Sequence, residues 1–421
     1  MKFLLASDSP TSPTGFAGQM RFVAKHLIKT GNEVDYLGWQ HMMNQEFVDG
    51  DVKFNVHPAL SQGDQGNQEA LFGRKVYPFY YQTLQPDVVL TLGDAWMVNQ
   101  IPQYEQNPLW VMYFPVDGHP LNKDIEQTVA QAHIPVAMSK YGQAVCKDHG
   151  LQVEYIPHQI DWKRLAQYNK KKVKKANRKK YFPDLKADTV LFGSIARLNP
   201  RKHHMRLLRA FEKFVRVNKL TPDDVRLYLH LDPLDVMYHT RLNAHDYFFS
   251  EFLDTLDLQE YILFPPSDYS FAQGVSEEEL LERMSCLDVH VNSTGGEGFG
   301  VPTLEVMAMG IPNIITNYTT SEELIIHKSV YSNDKEEDYD LHRGILVPYR
   351  KLHMENSGVY KAWVDTDDFA EAMELYYEDR ELRKLHGRNA FKFSKQYDTK
   401  NVNAMWTALF ERIPTIEVMS K

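Results

Sequence analysis

Short apolar runs separated by helix-forming stretches recur along almost the whole chain, and this alternation limits the fold more than any other feature. "MKFLLAS" reads as a strand, "GFAGQMRFVAKHLIKTG" as a glycine-led helix and "EVDYLGW" as the next strand. "PDVVLTLGD", "PLWVMYFPVDG", "IPVAMSK" and "VEYIPHQID" follow as further strands. Strands this short and apolar are covered on both faces, which is the condition of a parallel sheet with crossover helices. The alternation halts at the strongly basic "NKKKVKKANRKKYFPDLKAD". It resumes with "TVLFGSIARL", the helix "HHMRLLRAFEKFVRVN", "DVRLYLHLD", a helix near "HDYFFSEFLDTLD", "YILFPP", "LDVHVNS" and "PNIITN". The expected organisation is two α/β domains, 1–165 and 187–395, joined by a polar linker over 166–186, with a terminal segment 396–421. In that segment Val402, Met405, Trp406, Leu409 and Phe410 recur at helical spacing and require something to pack on.

A chain of 421 residues with 43% hydrophobic and 12% aromatic content has material for two or three full cores. Its net charge of −9 argues against a generally basic nucleic-acid binder. Two cysteines, Cys146 and Cys286, make neither a disulfide framework nor a metal cluster and read as small buried residues. The apolar run at the N-terminus is too short for a signal peptide, and no stretch approaches membrane-spanning length, so a cytosolic setting is expected.

The densest chemistry lies in "GGEGFGVPTLEVMAMG", Gly295 to Gly310. It follows the buried strand "LDVHVNS" and places Glu297 in a glycine loop. Pro302 suits the first helical position, Thr303 to Met309 the helix itself, and Gly310 its end, which puts Glu305 in the first turn. Carboxylates accept paired hydrogen bonds from vicinal diols, and a helix start favours phosphate oxygens. A nucleotide sugar carries two diols with a diphosphate between them. Ordinary capping by a first-turn glutamate is the competing account of Glu305.

Two further loops fit the same ligand. "GSIARLNPRKHH" sets Arg197 and Lys202 just past a strand, where open α/β sheets bind ligands and where a guanidinium and an ammonium suit a diphosphate. "SDSPTSPTGFAGQM" places Gly15 and Gly18 at a helix start, letting backbone approach an anion. It lacks the three-glycine dinucleotide fingerprint, and Asp35 falls inside the next strand rather than after it, which disfavours a Rossmann dehydrogenase.

Together these segments carry a resemblance. "GGEGFGVPTLEVMAMGIPNIIT" looks like the E-x7-E signature of the retaining glycosyltransferases of family 4. "GSIARLNPRK" with "LLRAFEKF" resembles that family's phosphate-binding "G-R-L-x-x-x-K" segment, and "EYIPHQID" is similar to its "I-P-N-G-V-D" strand end, with His158 and Gln159 in place of Asn-Gly. The resemblance runs from Gly15 to the end of the chain. It implies the GT-B fold: two Rossmann-like doubly wound domains facing across a cleft, the last helix crossing back to the first domain. It implies that the second domain holds the nucleotide sugar: Glu305 on the ribose, Glu297 on the donor sugar, and backbone at Gly298, Phe299, Gly300 and Val301 near sugar and phosphates. Arg197 and Lys202 would neutralise the diphosphate, and the Gly15–Gly18 loop would close from the other domain.

The sequence departs from the pattern in places. The acceptor-side strand ends "YFPVDGHP", so either Asp117 or His119 would face the sugar. "YLHLDPLD" replaces a glycine-rich turn, and Asp232 there either shapes the donor site or caps the turn. "DTD" at 365–367 invites comparison with a metal-binding motif, but the helix after it makes capping the better reading.

The expected activity is therefore metal-independent, retaining transfer from a nucleoside-diphosphate sugar to a hydroxyl acceptor: a glycan, a lipid-linked sugar, a protein or a modified nucleobase. No metal or other cofactor is expected. The acceptor should bind the first domain near Asp94, Trp96, Tyr113, Asp117 and His119. A phosphorylase, an epimerase or a non-catalytic nucleotide-sugar-binding protein are the alternatives. Lys170–Lys180 reads first as a solvated linker, and second as a surface recruiting a polyanionic acceptor such as nucleic acid or an anionic membrane.

Overall fold

The computed structural model describes residues 1–60, 63–64, 70–103, 109–235, 248–270, 274–326, 341–355 and 357–413. They form two compact units. One is Met1–Gln159 with the returning segment from Thr399, and the other is Ile160–Asp398.

The first unit is built on an eight-stranded sheet: β1 (Lys2–Asp8), β2 (Glu33–Trp39), β3 (Gln45–Asp49), β4 (Val52–Pro58), β5 (Val88–Leu92), β6 (Leu109–Phe114), β7 (Ile134–Ala137) and β8 (Glu154–Tyr155). Their order is β3-β4-β2-β1-β5-β6-β7-β8, parallel throughout except for the antiparallel β3–β4 pair. Central strands such as β5 and β6 are buried at every position, as expected for a sheet covered on both faces. The β3–β4 hairpin is absent from the strands expected above. Its cue is Asp49-Gly50 between two period-2 runs, with Gly50 at a positive φ of 64° that the turn requires.

The helix Thr399–Glu411 belongs to this unit. Trp406 stands edge-on to Tyr113 at 5.1 Å and stacks on Phe410 at 5.5 Å, and Phe410 meets Phe3 at 5.1 Å. His26 Nε2 and Thr407 Oγ1 lie 2.8 Å apart. Residues 414–421 of the expected terminal segment lie outside the described residues.

The second unit has a six-stranded parallel sheet of β9 (Val190–Ile195), β10 (Val225–His230), β11 (Ile262–Leu263), β12 (Val289–Asn292), β13 (Asn313–Thr316) and β14 (Gly344–Val347). The order is β11-β10-β9-β12-β13-β14, that of a doubly wound dinucleotide-binding sheet. Phe192, Phe211, Phe214, Leu227 and Val289 are buried at its core. An antiparallel pair, β15 (Tyr349–Met354) and β16 (Tyr360–Val364), is added beside it.

One expectation is corrected. The segment 166–186 is no solvated linker, because Lys171–Tyr181 is a helix packed within the second unit. Its polar residues find fixed partners there. Lys174 Nζ donates to Asp288 Oδ1 at 2.7 Å, Arg178 Nη2 to Asp288 Oδ2 at 2.5 Å, and Asn177 Nδ2 to Ser285 Oγ at 2.9 Å. The boundary accordingly falls at Gln159/Ile160 rather than after residue 165. Of the expected helix "HDYFFSEFLDTLD", Phe248–Leu256 is helical, and His245 to Tyr247 lie outside the described residues.

Candidate functional site

The order of the second sheet decides where a site can form. Strand order reverses at β9 and β12, so the loops leaving their carboxyl ends diverge and leave a crevice between them. Those two loops are residues 196–203 and 293–300, the stretches with the suspected phosphate-binding and diol-binding groups.

The loops are pinned together by backbone. Gly295 N donates to Arg201 O at 2.7 Å, Ser293 Oγ to Lys202 O at 2.8 Å, and Ala362 N of β16 to Gly295 O at 2.9 Å. A Cβ at Gly295 would stand 2.9 Å from both Ala362 O and His203 Cε1, so this crossing needs glycine. Asn199 caps the short turn Pro200–Lys202 by accepting from Arg201 N at 3.0 Å, which aims Arg201 and Lys202 at the opposite loop.

Glu297 is their target. It is only 6% exposed, and its Oε1 accepts from Lys202 Nζ and, at 3.2 Å, from Asn292 Nδ2. Arg201 Nη1 donates to Oε2 at 3.1 Å and also to Gly296 O. Burial alone would raise the carboxyl's pKa, but the two cations and the hydrogen bonds outweigh it and hold it down at about 2. Thr319 Oγ1 accepts from Glu297 N at 2.9 Å, and Thr320 Oγ1 donates to Phe299 O at 2.9 Å, which fixes the loop from below.

The helix after the loop is Val301–Ala308, with Gly300 at its N-cap and a φ of 95° that only glycine adopts easily. It begins one residue before the expected first position, so Pro302 is its second residue and Glu305 its fifth, in the second turn rather than the first. Helix capping therefore no longer accounts for Glu305. Glu305 is half-buried, and burial, then the nearby Glu277, push its carboxyl up to about 8 against the opposing pull of Arg164. Gly298 and Val301 are partly exposed along this rim, whereas the Phe299 ring is buried edge-on to Tyr397 at 5.8 Å and offers only its backbone.

Arg197 does not join Glu297. Its Nε and Nη2 fork onto the buried Asp235 at 2.6 and 3.0 Å, a neutral pair at the mouth of β9. Asp232 Oδ1 accepts from Leu234 N at 2.9 Å and so caps its turn. Asp365 caps Thr366–Glu378 and pairs with Arg350 at 2.9 Å, which explains the "DTD" carboxylate by local structure. Sequence reasoning missed Arg201 and Asp235. Both become visible only when residues far apart in the chain meet.

The remaining expected residues lie in the first unit. Gly15 opens the helix Gly15–Lys29, whose cap Thr14 accepts from Ala17 N at 3.2 Å and donates to Asp8 Oδ2 at 2.7 Å. A Cβ at Gly15 would meet nothing within 4 Å, and at Gly18 only Arg21 at 3.7 Å, so packing does not demand either glycine. Burial raises the carboxyl of Asp8, a residue at the carboxyl end of β1 that sequence reasoning passed over. His119 Nδ1 lies 3.2 Å from Tyr141 Oη, Asp117 is half-buried in the same loop, and Trp96 is 54% exposed. Tyr113 is corrected as an acceptor contact: it is buried, bonded to His158 at 2.8 Å and packed on Trp406.

No family model matches the chain. It is 25% identical over 312 residues to an uncharacterized glycosyltransferase of Sulfolobus islandicus rod-shaped virus 1, covering 71% of this chain and 79% of that protein. Among solved structures it resembles sucrose-phosphate synthase from Thermosynechococcus elongatus, with a TM-score of 0.74, 16% identity and 99% of both chains covered. HepE from Anabaena, solved with UDP and glucose, gives a TM-score of 0.65 at 14% identity over 98% of this chain and 100% of that one. At such identities the likeness speaks for architecture, and on both units at once: the chain has the GT-B fold.

Proposed function

We propose that the protein is a glycosyltransferase that takes a sugar from a nucleoside-diphosphate donor, with retention and without a metal ion, and passes it to a hydroxyl acceptor. The observation that carries this reading is Glu297 clamped by Arg201 and Lys202 at the switch point of the second sheet. Arg201 and Lys202 set two cations on one carboxylate beside the helix start at Gly300. A departing diphosphate meets those cations and the helix start, and a donor sugar's hydroxyls meet the carboxylate. Glu305, farther along the same helix, is assigned to the ribose diol. In the reaction the bond from the anomeric carbon to the diphosphate breaks and the acceptor oxygen bonds on the same face. The acceptor's proton passes to the leaving phosphate oxygen. The protein then needs no general base, only electrostatic stabilisation.

The UDP in the HepE complex makes uridine donors the first to try. A panel of UDP-, ADP-, GDP- and dTDP-sugars should contain one donor that slowly releases its nucleotide, at equal rate with and without EDTA. Lys202→Ala should slow that release by about 10²–10³-fold with an unchanged circular dichroism spectrum. Silence across the whole panel would sink the transferase reading. Loss on chelation with rescue by magnesium or manganese would sink its metal independence.

A further inference from the structure

Two neighbouring helices of the second unit, Lys171–Tyr181 and Arg380–Ser394, carry twelve lysines and arginines and a single carboxylate, Glu381, in a chain whose net charge is −9. Both close on the end of the helix Val301–Ala308. A Cβ at Gly387 would stand 2.3 Å from Gly310 O, and one at Gly310 2.6 Å from Asn169 Oδ1, just ahead of the first basic helix. On their inner sides one anion serves several cations. Asp288 takes Lys174 and Arg178, and its field also reaches Arg383. Burial lowers the pKa of Arg383, Asp288 raises it, and Arg380 and Arg178 lower it again, so the cations of the two helices repel one another. Their outer sides have less to offset that repulsion. Lys171, Lys175 and Lys179 form one exposed row, and Arg380, Lys384, Arg388 and Lys392 another. Of these seven only Lys384 makes a salt bridge among the described residues, with Glu381 at 2.6 Å.

The spacing says which anion fits. Each row repeats at i, i+4, a rise of about 6 Å per step, which suits an anion that itself repeats and not an acidic loop of irregular sequence. The aromatic rings of both helices are already covered. Arg283 lies over Tyr181 at 4.4 Å, Phe391 packs on Trp162 at 4.8 Å, and Arg343 lies over Phe393 at 3.8 Å. Neither helix exposes a large apolar side chain. A single strand finds no stacking platform there and a membrane no apolar anchor, whereas a duplex turns its phosphates outward and asks only for cations. We propose that this two-helix face binds the phosphate backbone of double-stranded nucleic acid without regard to sequence. The negative charge of the remaining chain repels such a partner elsewhere, which confines binding to this face. The proposal rests on charge and spacing and stands apart from the transferase reading.

Fluorescence anisotropy of a labelled DNA duplex of mixed sequence, titrated with the full chain, tests it. The duplex should bind, with affinity falling about tenfold or more between about 50 and 200 mM salt. The variant Lys384→Gln/Arg388→Gln/Lys392→Gln should bind about tenfold more weakly at the lower salt and show a flatter salt dependence, with circular dichroism unchanged. The charge-preserving Lys384→Arg/Lys392→Arg should bind as wild type does, and so should Lys29→Gln/Lys123→Gln/Lys147→Gln, which removes exposed lysines of the first unit. If the duplex is not bound, if the two glutamine variants bind alike, or if a single strand of the same length or phosphatidylserine vesicles are bound more tightly than the duplex, the face is not a duplex-binding surface. The donor panel is read separately. Turnover without duplex binding would keep the transferase reading and remove this one, and duplex binding without turnover would do the reverse.

Discussion

Glu297 and Glu305 are the same residue type eight positions apart, and their surroundings drive them in opposite directions. Glu297 is ionised at any ordinary pH because Lys202 and Arg201 outweigh its burial. Its depressed pKa adds stability that is present above the ordinary value of 4.5 and lost as pH falls toward about 2. Glu305 is the reverse case, neutral in the fold until about pH 8, so it weighs on stability as pH rises from 4.5 through that value. Glu297→Gln should abolish transfer and leave nucleotide affinity near wild type, whereas Glu305→Ala should weaken it by about 1.5–3 kcal/mol. Equal losses of affinity by calorimetry would refute that division. If the ribose diol needs the ionised carboxylate, nucleotide affinity should climb between pH 6.5 and 9 in the wild type and stay flat in Glu305→Gln. The spacing of the two glutamates was legible in the sequence because a strand, a glycine turn and a helix are local features. Arg201 and the Arg197–Asp235 fork were not, because each depends on which loop the sheet order brings opposite.

At the scale of elements, most strands of both sheets could be read from their apolar runs, but β4 and β14 went unread, as did β3, β15 and β16. β3 and β15 are largely exposed and carry no continuous apolar run. The basic helix Lys171–Tyr181 misled for a related reason: its composition is that of a solvated segment, yet one face is satisfied by fixed acceptors. Burial works against an ionised Asp288, but Lys174 and Arg178 hold its pKa below the carboxylate range. The inner and outer faces should therefore respond differently. Arg178→Ala strips Asp288 of a charged hydrogen bond and should cost about 2 kcal/mol in urea unfolding. Gln at Lys171, Lys172, Lys175 and Lys179, all exposed, should leave stability within about 0.5 kcal/mol. The same four-site variant measures whether the outer face recruits a polyanion. Binding to heparin or to anionic vesicles should weaken with the charges removed and fall with salt. Unchanged retention across a salt series would leave the helix a purely structural element.

For the whole molecule, the chain builds most of one unit, forms the other, and returns at Thr399 to complete the first. The first unit's stability therefore depends on residues at the far end of the sequence. Trp406 is the largest buried side chain they contribute, 1% exposed between Tyr113 and Phe410, and Phe410 reaches Phe3 on the central strand β1. Trp406→Ala removes a large buried ring from a packed core, for which a loss of about 3–5 kcal/mol is typical. That loss should fall on one unit. A nucleotide bound at the β9–β12 switch point acts on the other, adding about 2.7 kcal/mol when present at 100 times its dissociation constant. Hydrogen exchange in mild urea, read peptide by peptide, should show β1, β5 and β6 losing protection in Trp406→Ala while β9 and β12 keep theirs. UDP should then protect β9 and β12 and leave β1 unrescued. If the substitution and the nucleotide instead move both sheets together, the chain unfolds as one cooperative body, and its two units are architectural without being energetic.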